Sequence, residues 1–183
     1  MSDHGEDGFL KDAAGKRVEF VLTVPTGNKF RELTAEAIRE DLGKVGVKVE
    51  LQRVDFETLQ GKLHANHGYE CAIFLLSGGQ TLPYSTTLKS SGPMHVWRSY
   101  RPVDWQGRLD SLMVLQSTTL DPAIQKKQWD EAQAIMAEQL PLIYTVTRRG
   151  YAAGRSDLRN LRPSNSTDRH LTWNLEELYL GRQ

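Results

Sequence analysis

Val18-Glu-Phe-Val-Leu-Thr-Val-Pro-Thr-Gly-Asn-Lys-Phe-Arg-Glu-Leu33, running on to Gly46-Val-Lys-Val-Glu-Leu-Gln-Arg-Val-Asp-Phe56, decides the fold class of this chain. Val18, Phe20 and Leu22 alternate with Glu19 and Thr23, the period of a strand. Asn28 stands where a helix N-cap is needed, and Phe30, Leu33, Ala37, Ile38 and Leu42 then fall on one helical face. Gly46 closes that helix. Val47, Val49 and Leu51 then alternate with Lys48, Glu50 and Gln52 as a second strand. Two strands joined by a helix form a βαβ unit, which predicts parallel pairing with a right-handed crossover and an α/β fold.

The bulk of the chain narrows the function classes. Its 183 residues suit one domain with a proper core. Lys plus Arg and Asp plus Glu are 23 each, so no net field favours nucleic acid or an anionic membrane. The composition, 39% hydrophobic and 25% charged, is that of an ordinary soluble domain. No apolar run approaches the roughly 18–20 residues that span a bilayer. Cys71 is the single cysteine, so an internal disulfide is excluded. Met1-Ser-Asp-His-Gly5 lacks the charged start and apolar core of a secretory signal. Taken alone that points to the cytoplasm, although a truncated piece of an exported protein would lack the signal equally.

Beyond the βαβ unit, Asp55 can cap a short helix that buries Phe56, Leu59 and Leu63. Tyr69–Leu76 is a continuous apolar run, as in a strand covered on both faces. Residues 77–107 are rich in Gly, Pro, Ser and aromatics without a stable period, the composition of a functional surface or of short turns. A helix with Leu109, Leu112 and Met113 inward follows. The next starts at Asp121-Pro122, buries Trp129, Ala132, Ile135 and Met136, and stops at Pro141. Leu142–Thr147 reads as a strand. Leu33, Ile38, Leu42, Ile73, Leu75, Trp129, Ile135 and Met136 are the expected core.

Few residue clusters point to chemistry. His64-x-x-His67 with Cys71 has metal-like spacing, but Asn66 and Gly68 fray the helix and Cys71 belongs to a core strand. Asp3-x-Gly5-x-Asp7-Gly8 begins like a calcium loop, yet position twelve is Ala14 where a bidentate Glu is required. No nucleophile elbow or phosphate loop is present. The reading is therefore a non-enzymatic protein without cofactor or metal. Loops at the carboxyl ends of α/β strands are where such folds place ligands. That picks out Thr26 and Asn28, at a helix start suited to an anion, and Ser77, Gly78, Gly79 and Gln80 after the Tyr69–Leu76 run. Tyr84, Trp97 and Arg98 join them as aromatic and cationic groups of the long irregular stretch. Plain turn chemistry and core packing explain the same residues about as well.

The order of several segments resembles the family 5 extracellular solute-binding proteins, the oligopeptide, dipeptide and nickel receptors of bacterial ABC importers. Those segments are Gly15-Lys-x-Val-Glu-Phe20, Asn28-x-x-Arg31, Lys44-Val-Gly-Val-Lys-Val-Glu-Leu-Gln52 and Asp55-Phe-x-Thr-Leu59. Gly68-Tyr-Glu-Cys-Ala-Ile-Phe-Leu-Leu-Ser-Gly-Gly79, Asp121-Pro122, Gln133-Ala-Ile-Met-Ala-Glu-Gln-Leu-Pro-Leu-Ile-Tyr144 and Trp173-Asn-Leu-Glu-Glu-Leu-Tyr179 continue it. Together they span nearly all of residues 8–180, but match only the C-terminal part of a two-lobed family. The resemblance implies a fragment. Residues 1–148 are then a C-terminal lobe with a mixed sheet and flanking helices, and 149–183 a tail that in the family returns to the other lobe.

The implied function is half of a cleft for a small solute, delivered to a membrane ABC permease by a periplasmic or extracellular protein. Family members that bind peptides carry a Trp and then an Asp in the loop corresponding to about Leu76 and Gly79; the Asp pairs with the peptide's ammonium. Its absence here argues against a free peptide N-terminus and leaves sugars, opines, metal chelates or capped peptides. A tail deprived of its lobe needs another apolar surface, either this chain's own cleft edge or a neighbouring copy, and the second, self-association through 149–183, is the favoured of the two. The alternative from another class is a stand-alone cytoplasmic α/β domain that binds a protein partner.

Overall fold

The computed structural model describes residues 5, 7–75, 84–97, 104–146, 153–162 and 174–181. They fall into two compact units, one built on residues up to 75 with Val96 and Trp97, the other on residues 84–95 and from 104 onward.

The first unit is the predicted βαβ. Strand β1 (Glu19–Pro25) leads through helix α1 (Lys29–Lys44) to strand β2 (Lys48–Val54), and the two strands pair in parallel from Glu19 opposite Lys48 to Pro25 opposite Val54. Helix α1 begins where the sequence says: the Asn28 side-chain oxygen accepts from the Arg31 N–H at 3.2 Å. It ends at Gly46, whose φ of 84° is the left-handed conformation that favours glycine. A third strand, β3 (Cys71–Ala72), pairs in parallel on the other side of β1, giving the order β2-β1-β3. Among the described residues of the apolar run predicted as a strand, Cys71 and Ala72 are the paired ones. The Val21 N–H donates instead to the Glu70 carboxylate at 2.6 Å, so a side chain takes the place of the next ladder carbonyl. Beyond the pairing, Leu75 is exposed, against the expectation of a core residue.

Leu22, Val24, Ala35 and Val49 form the centre of this core, with Phe20, Ile38, Leu42, Leu51, Cys71 and Ile73 against it. The face of α1 that packs is therefore Ala35, Ile38 and Leu42. Phe30, Leu33 and Ala37, expected on that face, are exposed. Ala35 is fully covered because a methyl side chain lets helix and sheet approach closely. Before β1, a hairpin bridges Lys11 and Arg17, and the Asp12 carboxylate accepts from the N–H groups of Ala14 and Lys16, both at 2.9 Å. After β2, helix α2 (Phe56–Gln60) widens into a π-type turn, Gly61–Asn66. Leu59 and Leu63 are buried as predicted, whereas Phe56 at the first turn points outward.

The second unit holds a short helix α3 (Ser85–Leu88) and two long ones, α4 (Asp104–Thr118) and α5 (Pro122–Gln139). Asp121 caps α5 from the position before Pro122, accepting from Ala123 N–H at 2.8 Å. The α4–α5 hairpin is joined by Arg108, whose Nε and Nη2 donate to the two Glu131 carboxylate oxygens at 2.6 and 2.7 Å. Gln125 of α5 donates to the carbonyls of Gln116 and Thr119, which covers acceptors left open at the end of α4. Leu109, Leu112 and Met113 are buried as expected, with Ala132 and Met136, while Trp129 and Ile135 are half-buried. Residues 142–146 form no ladder, so the predicted strand is missing. A strand exists only by pairing, and no neighbouring strand meets this one among the described residues. Strands β4 (Leu158–Arg159) and β5 (Tyr179–Leu180) pair antiparallel beside the buried Asn174, whose Nδ2 donates to the Asn160 carbonyl at 2.9 Å.

Candidate functional site

Because β1, β2 and β3 run parallel, their carboxyl ends share one edge of the sheet. The loop after β1 starts there at Thr26, whose N–H donates to the Val54 carbonyl at 2.8 Å. The loop after β3 starts beside it, with the Ile73 N–H donating to the Thr23 carbonyl at 2.9 Å. The sheet thus delivers the segment leading to Ser77–Gln80 to the same edge as Thr26 and Asn28. Ser77, Gly78, Gly79 and Gln80 themselves, and Arg98, lie outside the described residues.

At that edge the β1–α1 turn is nearly self-sufficient. Gly27 holds a φ of 82°, which puts its N–H toward Glu32 Oε1 at 3.0 Å. Asn28 spends its side-chain oxygen on Arg31 and its carbonyl on Glu32. The start of α1 therefore already carries the Glu32 carboxylate, so an anionic ligand there meets a like charge, and a neutral polar group fits better. Thr26 is exposed and offers a hydroxyl. Glu32 is not marked by the sequence as a partner of this turn, because the capping-box position three residues after Asn28 is Arg31, not an acid. On the β2 side of the edge, Asp55 accepts from the Thr58 hydroxyl at 2.6 Å and its N–H at 2.8 Å, which holds its carboxyl below the usual range.

The two aromatic candidates have different settings. Trp97, grouped with the first unit, is 7% exposed, so it is buried and not part of an exposed surface. Tyr84, in the second unit, is half-exposed and lies over Trp129 with ring centroids 4.3 Å apart. Also in that unit, Lys89, Asp110, Ser111, Val114 and Leu115 line a shallow apolar depression on α4.

The metal-like cluster does not assemble. His64 lies in the π-type turn with its Nδ1 buried and without a hydrogen-bond partner, and His67 ends the turn at a φ of 50°. Burial pushes the Cys71 thiol up. No three His, Cys, Asp or Glu side chains converge on a metal position among the described residues. In the N-terminal hairpin, Asp7 accepts from the Phe9 N–H and pairs with Arg17, so it is already engaged. No helix among the described residues is long and apolar enough to cross a membrane.

No protein-family model matches the chain. Over 87 residues, 44% of its length, it is 33% identical to a probable ABC transporter-binding protein of Deinococcus radiodurans, of which that match covers 15%. Over 98% of its length it is 25% identical to the oligopeptide-binding protein AppA of Bacillus subtilis, covering 32% of AppA. The solved structure of AppA with a nonapeptide superposes with a TM-score of 0.67 and 22% identity, over 98% of this chain and 35% of that one. The periplasmic binding protein MelB of Agrobacterium fabrum, solved with stachyose, gives 0.63 at 18% identity over 77% of this chain and 23% of that one. The chain thus spans about a third or less of the length of these relatives. Its homologues and structural neighbours are solute-binding proteins of the family 5, oligopeptide-binding type that serve ABC transporters, and it matches part of such a protein.

Proposed function

We propose that this chain supplies part of the solute-binding cleft of an ABC importer's substrate-binding protein, with residues 1–148 as the lobe and 149–183 as the segment returning to the missing lobe. The observation that supports it is the shared carboxyl edge of the parallel sheet, where the loops after β1 and β3 emerge side by side. Thr26 and Asn28 contact the solute in this reading, with the segment Ser77-Gly-Gly-Gln80 as the other loop proposed from the sequence. The complete protein works outside the cytoplasmic membrane, closes two lobes on the solute and hands it to the permease. No step of that cycle makes or breaks a covalent bond, so the protein is a carrier and not an enzyme.

The solute follows from the chemistry of the edge. AppA was solved with a peptide and MelB with a sugar, so this fold serves both ligand classes. Here residues 76–83 read Leu-Ser-Gly-Gly-Gln-Thr-Leu-Pro and contain no carboxylate to pair with a peptide ammonium. The ligand is a small neutral polar molecule, a sugar or a peptide-like compound without a free amine. Titration of a two-lobed protein carrying this chain, with stachyose, an N-acetylated peptide and the same peptide with a free amine, tests it. We expect binding of one of the first two, and no preference for the free amine over the acetylated form. A clear preference for the free amine would overturn the assignment.

A further inference from the structure

We propose that Glu70 is a positioning residue of the solute site: its carboxylate sets the register of β3 on β1, and so sets where the chain leaves the sheet's carboxyl edge. The inference rests on the solute-binding reading above, which is what makes that edge part of a site. Strand β3 has a narrow hold on the sheet. Its ladder is Leu22 opposite Cys71 and Thr23 opposite Ala72, extended by the Ile73 N–H on the Thr23 carbonyl at 2.9 Å. One step earlier the parallel register assigns the Val21 N–H to the carbonyl of Tyr69. Glu70 Oε2 accepts that N–H instead, at 2.6 Å. A bond from a backbone N–H to a carboxylate is charge-assisted and roughly twice as strong as a neutral one.

The side chains of β3 do not fix this register by themselves. Every position from Cys71 to Leu76 is apolar, so a strand displaced by two residues still presents apolar groups to the core. Such a slip would carry the end of β3 by roughly 6–7 Å past Thr26. Glu70 is the one charged side chain between Gly68 and Leu76, and its bond to Val21 singles out the observed register. The same turn holds a second segment. The Tyr69 N–H donates to the His67 carbonyl at 3.0 Å, and the Tyr69 hydroxyl donates to the carbonyl of Val96. Val96 and Trp97 are buried where the chain rejoins the first unit. Adjacent residues therefore fasten both the outgoing strand and the returning segment.

Amide hydrogen exchange of the 183-residue chain reads the register directly. In Glu70→Ala the Val21 and Ile73 amides should exchange at least about tenfold faster, while those of Leu22 and Val24, on the β2 side of β1, keep their rates. Glu70→Gln retains an acceptor oxygen and should restore most of the protection. A two-lobed protein carrying this chain is then titrated with stachyose and with an N-acetylated peptide. For the probe that binds, Glu70→Ala should weaken affinity at least about fivefold, and Glu70→Gln should recover most of it. A merely structural role would lower the urea midpoint and leave affinity untouched. Unchanged exchange at Val21 and Ile73, equal acceleration along all of β1, or unchanged affinity would overturn the proposal. A parent protein that binds neither probe would instead overturn the solute reading, with the exchange pattern still deciding whether Glu70 holds β3.

Discussion

Asp55, at the first turn of α2, shows how a single cap carries a pH signature. Its carboxyl is held below the ordinary value of 3.8, first by the Thr58 hydroxyl and then by the Thr58 N–H. A depressed folded value means the cap contributes above the unfolded pKa and is lost as pH falls through the folded one. Urea midpoints of the parent and Asp55→Asn should therefore differ at pH 7 and converge in acid below the folded value; a gap that persists there would contradict it. Gly92 makes a different demand. A Cβ at this position would stand 2.3 Å from the Thr86 carbonyl oxygen and 2.7 Å from that of Ser85. Backbone leaves no room to yield, so Gly92→Ala should cost on the order of 1–3 kcal/mol in denaturant unfolding. An unchanged midpoint would mean that the Ser85–Met94 turn opens freely.

At the scale of elements, burial decides what truncation costs. Leu109 of α4 is fully buried, and Leu109→Ala should cost about 2–5 kcal/mol. Leu33 of α1 is 59% exposed, and Leu33→Ala should stay within about 0.5 kcal/mol of the parent. Equal effects in chemical denaturation would reverse the assignment of faces. Trp129, half-buried under Tyr84, belongs between these extremes, below the full aromatic-to-alanine range of about 3–5 kcal/mol.

The same elements show what was legible in the sequence. The βαβ unit was, because strand period, the Asn28 cap and Gly46 are local signals that all agree. Helix α5 was, through Asp121-Pro122. The packing face of α1 was not: Phe30, Leu33 and Ala37 share Ile38 and Leu42 with the true stripe, and periodicity cannot say which edge of an apolar arc meets a sheet. Ala35 was overlooked because close approach selects small side chains as readily as large ones. Residues 142–146 have the composition of a strand, but pairing is a property of two segments and cannot be read from one. At the candidate site, the position of the β1–α1 loop was legible, while Glu32's hold on Gly27 came from the turn's three-dimensional path.

On the scale of the whole molecule, the proposed function makes the parallel sheet one rim of a cleft, and the relatives this chain resembles are about three times its length or more. Enclosure is what makes a polar ligand site tight, since a solute held on one side keeps much of its water and gains few simultaneous contacts. Half a cleft should therefore bind weakly even with every loop in place. Calorimetric titration with one solute, of the 183-residue chain and of a two-lobed protein that contains it, tests this most directly. The account predicts that the isolated chain binds at least about a hundredfold more weakly, a difference of roughly 2.7 kcal/mol. Equal affinity in the two proteins would contradict it, because the site would then be complete within this chain.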